Sequence, residues 1–598
     1  MDGDGEFVGG LVGKCIEAAS ASARSVEKWR RQRRTLEHLP SFLADALLRC
    51  IIRRRLLRYP SWLETFKNSV ENVDLRGENY VGAEWLAYLG AFRFLRCLNL
   101  ADCKGVNNSA LWFLAGMDSL KELDLSRCSK VSDSGIKHVL SIHSLEKLHI
   151  SEIGLTSEGV SLLSSLQNLK LLDLGGIPVT DKALCSLQVL TKLDYLDLWG
   201  SKISNKGVTI LVMFPKLNFL NLAWTNVTKL PYLPSITSLN MSNCMISSIY
   251  YAKNSMNSPL SELLVLGTTF TDADEVFSCM DISYMKLLDV SRSSICNLHF
   301  LVKMDMIEHL DLSFCGITDD SVEYIAKAGK SLKYLNASNT KLTSDGVGAL
   351  VGRLINLETL CLSNTDINDA ALSYIALMPS LRVTDLSHTK IKGFAYESGH
   401  HVEKSFSLSL LQNLSRLESL NLEDTLIKDE AFVSLAFLKQ LRCLYLKSDF
   451  LSDVYLHNLS PLSNLKFLGF RNSVLTDTGL LYFMPPKALR MLDLRGSWLL
   501  TKDTVLSFCK QYPQIEVTHE SIGMIRPDRN ISACSSGTSQ TSEARCKGFN
   551  KPSENCKVTF IDERIKYSRE EMLQLQLSPL STLAPHHRHM LPKGLRLE

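Results

Sequence analysis

Leu120-Lys-Glu-Leu123-Asp-Leu125-Ser-Arg-Cys128-Ser-Lys-Val131-Ser-Asp133 is one copy of a unit that recurs through most of this 598-residue chain. Its frame is L-x-x-L-x-L-x-x-(C/T/S)-x-(I/V/L). Copies start at Leu95, Leu120, Leu145, Leu169, Leu193, Leu217, Ile236, Leu260, Met285, Ile307, Leu332, Leu357, Leu381, Leu417, Leu441, Leu465 and Leu489, with a weaker one at Val70. The usual step is 24 or 25 residues; it shortens to 19 after Leu217 and 22 after Met285, and lengthens to 36 after Leu381. Self-similarity at such a period is the signature of a solenoid. Each unit reads as a short strand, a turn and a helical stretch such as Ser134–Leu140. With the first apolar residue as offset zero, offsets 0, 3 and 5 point inward and stack on the next unit, because no unit buries its apolar face alone. Offset 8 holds Cys103, Cys128, Cys244, Cys315 and, in most other units, Ser or Thr. There the chain leaves the strand, and a small side chain with a donor serves backbone groups left unpaired by the turn.

These residues resemble the cysteine-containing, ribonuclease-inhibitor-like class of leucine-rich repeats. The stretch Ser126–Asp133 is typical of it, and Ser313–Asp319 repeats that stretch one residue shorter. The resemblance covers roughly residues 70–517. It implies an α/β solenoid with a curved parallel sheet inside, helices and turns on the convex side, and a role as a protein-recognition scaffold. Flanking it are a helical cap at 1–69 and a tail at 518–598 that reads as largely disordered, with a binding helix near 563–577.

Composition agrees. Residues 1–70 hold 13 Lys/Arg against 8 Asp/Glu, residues 518–598 hold 12 against 9, and the middle holds 41 against 46. An acidic centre argues against a nucleic-acid clamp. The acidic start lacks an apolar signal core, no apolar run reaches the ~18 residues of a membrane span, and the 16 cysteines show no CxxC pair. The expected home is the cytosol or nucleus, with thiols reduced.

Ahead of the repeats come Leu11-x-x-x-Cys15-x-x-x-Ala19 and Leu39-Pro40-x-x-Leu43-x-x-x-Leu47. In that order they resemble the von Hippel–Lindau box, and box followed by repeats resembles the zygote-defective family of cullin-RING ligase substrate receptors. That resemblance implies docking to elongin C and a cullin through these seven residues. The armadillo-like domain of that family has no counterpart here. Leu39-Pro40 also fits the opening of an F-box, which implies a Skp-type adaptor. A third reading needs no partner: a solenoid must cover its first strand, and Leu43, Leu47, Leu48 and Ile51 suit a cap. The basic runs Arg30–Arg34 and Arg53–Arg55 read as solvated helix faces.

Offsets 2, 4 and 6 point into the hollow of the sheet. Offset 4 is almost a ladder of Asn and Asp, with seven carboxylates, which either favours a basic ligand or merely suits a solvated parallel sheet. Tyr195, Trp199 and Phe219 lie beside Asp173 and Asp197, a pairing that binding hot spots use. Lys447, Arg471 and Arg495 occupy offset 6 of three successive units and suit an acidic segment or phosphate. In the tail, Tyr567, Met572 and Leu573 resemble the peptide by which translation regulators dock on initiation factor 4E. No P-loop, H-E-x-x-H, G-x-S-x-G or kinase string occurs, so the sequence reads as no enzyme, with neither metal nor cofactor.

Overall fold

The structure, a computed structural model, describes residues 10–30, 39–250, 260–396, 404–448, 453–471, 473–520 and 523–525. Each repeat contributes one strand to a 20-stranded sheet that starts at β1 (Asn72–Asp74). Neighbours are parallel and share one register: Leu98 lies beside Leu123, Leu123 beside Leu148, and so on to Asp493 beside Thr518. The last pairing differs, because Gly523–Ile525 runs antiparallel to Glu516–His519 and covers that edge. The sheet thus passes the expected boundary at Val517. Leu120, Leu123, Leu125 and their counterparts are buried, and each fully buried leucine contributes about 1.5–3 kcal/mol.

Several turns work as the offset-8 residues suggest, although Ser201 Oγ is buried without a hydrogen-bond partner and Ile153 and Ile177 bring no donor. The thiols of Cys103, Cys128 and Cys315 donate to the carbonyls of Leu75, Leu100 and Val290 in the preceding repeat, at 3.0, 3.1 and 3.1 Å. Thr340 and Thr365 donate within their own repeat, to Ala337 and Leu362, at 2.7 and 2.6 Å. Offset 7 carries a feature that the sequence reading missed. Asp102, Arg127, Trp224, Phe314 and Asp424 all sit there at φ between 53 and 60°. Left-handed backbone costs a non-glycine residue roughly 1–2 kcal/mol. It swings the chain out of the sheet and fans these side chains along the rim, where Arg127 lies 3.5 Å from Asp102 and 3.3 Å from Glu152.

On the convex side, helices such as Asp133–Val139 start with an aspartate that reaches into the next repeat. Asp133 accepts the Thr156 N–H at 2.8 Å and its hydroxyl at 2.6 Å, and Asp319 does the same for Thr343. A Cβ at Gly159 would lie 2.2 Å from the Asp133 carboxylate, so this approach requires glycine.

The amino-terminal end is closed by α1 (Leu11–Ala19), α2 (Ala23–Arg30) and α3 (Ser41–Arg53). Ala44, Leu48, Ile51 and Ile52 of α3 join the core. Asp45 Oδ1 accepts the N–H groups of Glu71 and Asn72 at 2.9 and 3.2 Å. One repeat later the matching N–H groups, of Arg96 and Cys97, go to the carbonyl of Glu71. A buried carboxylate therefore replaces the carbonyl of a repeat that does not exist, and the edge is satisfied. Small ladders lie on the connections: Lys229–Leu230 runs parallel to Ser248–Ile249 of the next repeat, and within the long step after Leu381 Ala395–Tyr396 runs antiparallel to Lys404–Ser405. Residues 251–259 and 397–403, with His400 and His401, lie outside the described residues, as does 526–598 with Tyr567, Met572 and Leu573.

Candidate functional site

The cap divides the seven box residues. Leu11 is 80% exposed and Cys15 is exposed, one turn apart on α1. Ala19 and Leu39 are half-buried against the core, Leu43 is half-buried, and Pro40 is exposed where α3 begins. Leu47 is only 6% exposed, so it belongs to the cap core and not to an outward face. The inward side of α1 is carried by Ile16 and Ala19, and Arg54 ties the helix down by donating to the Glu17 carbonyl at 3.0 Å. Two residues that the motif did not single out, Val12 and Phe42, are also exposed, Phe42 by 55%. The cap reading and the docking reading therefore concern different helices: α3 seals the sheet, while α1 and the start of α3 leave apolar surface in water.

On the concave sheet the Asn/Asp ladder has a structural duty. At offset 4 the side-chain oxygen accepts the N–H two residues on: Asn99 from Ala101 at 2.9 Å, Asp173 from Gly175 at 3.0 Å, Asp289 from Ser291 at 2.9 Å and Asp385 from Ser387 at 3.0 Å. This serves the last N–H group of the strand as the chain turns away. Asp197 is consumed by that duty. It is 2% exposed and accepts from the Trp199 N–H at 2.9 Å and from Asn221 Nδ2 at 3.0 Å. Trp199, expected as an exposed anchor, is only 8% exposed. Its ring lies over Gly176, where a Cβ would come within 3.1 Å of it; the glycines of one repeat make the berth for the indole of the next. Tyr195 and Phe219 remain half-exposed and stack at 4.1 Å. Asp173 remains half-buried, 3.7 Å from His149. Burial pulls the His149 pKa down, but Asp173 and Asp124 outweigh it and hold the imidazole above its ordinary value.

Two further ring pairs lie on the same face, His309 with Tyr334 at 3.8 Å and Tyr445 with Phe467 at 4.8 Å. Both sit at periodic positions and were legible from the repeat frame. The basic residues expected at offset 6 have carboxylate partners. Lys447 pairs with Asp424. Arg471 and Arg495 share the buried Asp493, at 2.6 and 2.7 Å. Burial pushes that carboxyl up, but the two guanidiniums outweigh it and hold it well below the usual carboxylate range.

A family profile described as "Leucine Rich repeat" matches residues 118–139 and 305–326, each spanning a strand, its turn and its helical stretch. The fold is a leucine-rich-repeat solenoid. It has structural neighbours at low identity. An internalin of Listeria monocytogenes is 18% identical, over 74% of this chain and 92% of its own, with a TM-score of 0.32. A Leptospira interrogans leucine-rich-repeat protein is 16% identical over 77% and 98%, at 0.38. A plant receptor-kinase ectodomain from Arabidopsis thaliana is 14% identical over 77% and 56%, at 0.36. No curated protein matches. Among the described residues no helix is long and apolar enough to cross a membrane, and no group of three His, Cys, Asp or Glu is placed to hold a metal.

Proposed function

We propose that this chain is the substrate-recognition subunit of a cullin-RING ubiquitin ligase, with α1 docking an elongin-type adaptor and the sheet holding the protein to be modified. Leucine-rich repeats are a protein-binding scaffold, and the finer reading rests on the amino-terminal helices. The supporting observation is the exposed stripe of Leu11 and Cys15 on a helix otherwise tied to a cap. Apolar side chains left in water at helical spacing suit the groove of another protein. Such an assembly places the protein in the cytosol or nucleus.

The test is co-purification of the full chain with elongin C, a Skp-type adaptor and cullins. Leu11→Ser with Cys15→Ser should abolish recovery of the adaptor at unchanged thermal stability. Losing apolar residues at an interface centre costs about 2 kcal/mol, roughly thirtyfold in affinity. Recovery of a Skp-type adaptor alone moves the assignment to the F-box route through Leu39 and Pro40. If the wild type recovers no adaptor, the chain is a scaffold or signalling adaptor. Its link to initiation factor 4E would then be tested with Tyr567→Ala plus Leu573→Ala.

A further inference from the structure

Throughout most of the sheet, the residue just ahead of each strand (offset 1) carries a charge that its neighbour answers. Glu146 bridges Lys121 at 2.7 Å and Lys170 at 2.6 Å. Glu308 holds Lys333 at 2.6 Å. Glu418 holds Arg382 at 2.9 Å and Arg442 at 3.0 Å. Beyond Arg442 the alternation stops. The next two positions are Lys466 and Arg490; among the described residues neither has a carboxylate within ion-pair distance, although Glu418 feels the charge of Lys466 and Glu516 lies on the strand beside Arg490. Main-chain bonds from Lys466 N to Arg442 O and from Arg490 N to Lys466 O, at 2.8 and 2.9 Å, stack these three in a row.

A second row stands behind the same three strands, formed by Lys447, Arg471 and Arg495. Asp424 and Asp493 partly answer it. One carboxylate between two guanidiniums leaves the pair positive and fixes both forks, while 40% of the Arg471 side chain and 54% of the Arg495 side chain stay exposed. From Lys439 to Arg495 the chain has eight Lys/Arg against four Asp and no Glu. Two of those aspartates, Asp453 and Asp477, are engaged on the convex side by Thr476 and Thr501.

Between the rows the floor is low and apolar. Tyr445 and Phe467 meet at 41°, Met491 is half-buried, and Gly469 leaves a dip where a Cβ would crowd the Tyr445 ring at 3.1 Å. Five residues of strand separate the rows, about 16 Å at ~3.3 Å per residue. We propose that the strands Cys443–Leu446, Phe467–Gly469 and Met491–Asp493 form a docking platform for an acidic segment of a partner protein, with carboxylates gripped by both cation rows and an apolar residue set on the floor between them. Charge complementarity selects the occupant. An extended peptide lying along the strands places carboxylates four residues apart on one face, about 13 Å, and the long Lys and Arg side chains of the two rows span the rest. A single-stranded nucleic acid is the poorer fit, since bases need open ring faces and these two rings are half-buried against each other. The inference rests on the protein-binding role of the repeats and is independent of adaptor docking by α1.

The experiment uses the full chain and fluorescein-labelled peptides with two Glu four residues apart around a central Phe, so that all three share one face when extended. Controls are the same peptide with the Glu adjacent, a Lys version, and an oligouridylate. The four-residue spacing should bind best, and more weakly as salt rises. Lys466→Glu with Arg490→Glu should weaken it by about tenfold or more, whereas Lys229→Glu, remote from the platform, should not. The double variant should recover any adaptor as well as the wild type does, which separates this inference from the ligase reading. Binding indifferent to the double variant, no preference for acidic over basic peptide, or tighter oligouridylate binding lost in the same variant would each overturn it.

Discussion

In two stretches, Lys121 to Lys170 and Glu308 to Arg442, charges at the leading ends of the strands meet opposite charges one repeat away; at Lys466 and Arg490 no ion pair forms among the described residues. The fold position is the same and the backbone register is the same. Only the side chain 24 or 25 residues away differs. Where neighbours pair, the position contributes a little stability and offers nothing to a partner. Where they stop pairing, the same position presents charge outward at the cost of some self-repulsion. A repeat array thus separates holding itself together from holding something else by a local change of pattern, with no change of fold.

Thiol chemistry offers the largest contrast. Cys128 lies in a sealed turn, with burial pushing its thiol up to about 12, as it does for Cys103. Cys443 is only half-buried on the platform; burial and Glu418 raise its thiol as well, with Arg442 opposing them. Native-state alkylation at pH 8, followed residue by residue, should modify Cys443 at least about a hundredfold faster than Cys128. Acidic peptide should slow Cys443 alone. Equal rates would mean that the turn is not closed.

Asp493→Ala comes next. It removes the carboxylate between Arg471 and Arg495 and strands the Arg495 N–H, which Asp493 accepts at 3.2 Å. The expected loss is about 2 kcal/mol, read from urea unfolding. Because the folded carboxyl is held low, its stabilisation is complete above the ordinary carboxylate pKa of about 4. It is lost as pH falls below that towards the depressed value. A wild-type minus variant difference that grew on acidification would contradict the assignment.

The smallest effect tests the ladder itself. Glu146→Gln should lower stability by less than about 1 kcal/mol, since the pair with its two lysines is largely in water. Lys121 and Lys170 hold the Glu146 carboxyl down at about 2, so its contribution fades between pH 4.5 and about 2. Lys466→Gln should cost nothing or slightly stabilise. In 1 M salt the two variants should become indistinguishable, because the Debye length falls to ~3 Å.

Much of this was legible beforehand. The strands, their inward residues and the thiol donors at Cys103, Cys128 and Cys315 follow from the frame, because each depends only on a position in the unit. The ladder at offset 4 was visible as residues but ambiguous as a role, and the N–H groups two residues on decide it. Asp197 and Trp199 were misplaced on the open surface because their burial depends on Asn221 in one neighbour and on Gly176 in the other. The leading cation row was passed over because attention to offsets 2, 4 and 6 skips offset 1.

The sequence by itself determined a stack of parallel strands with sealed turns and a helical segment ahead of it, since a strict period forces identical neighbours into identical contacts. Only the tertiary structure decided which polar and aromatic side chains remain free. Residues 24 positions apart in the chain lie one strand spacing apart, ~4.8 Å, across the sheet. At that distance a neighbour's glycine can bury a tryptophan such as Trp199, and a neighbour's carboxylate can cancel a lysine such as Lys121. At Lys466 and Arg490 no carboxylate stands within ion-pair distance among the described residues, and on our proposal their charge serves a partner.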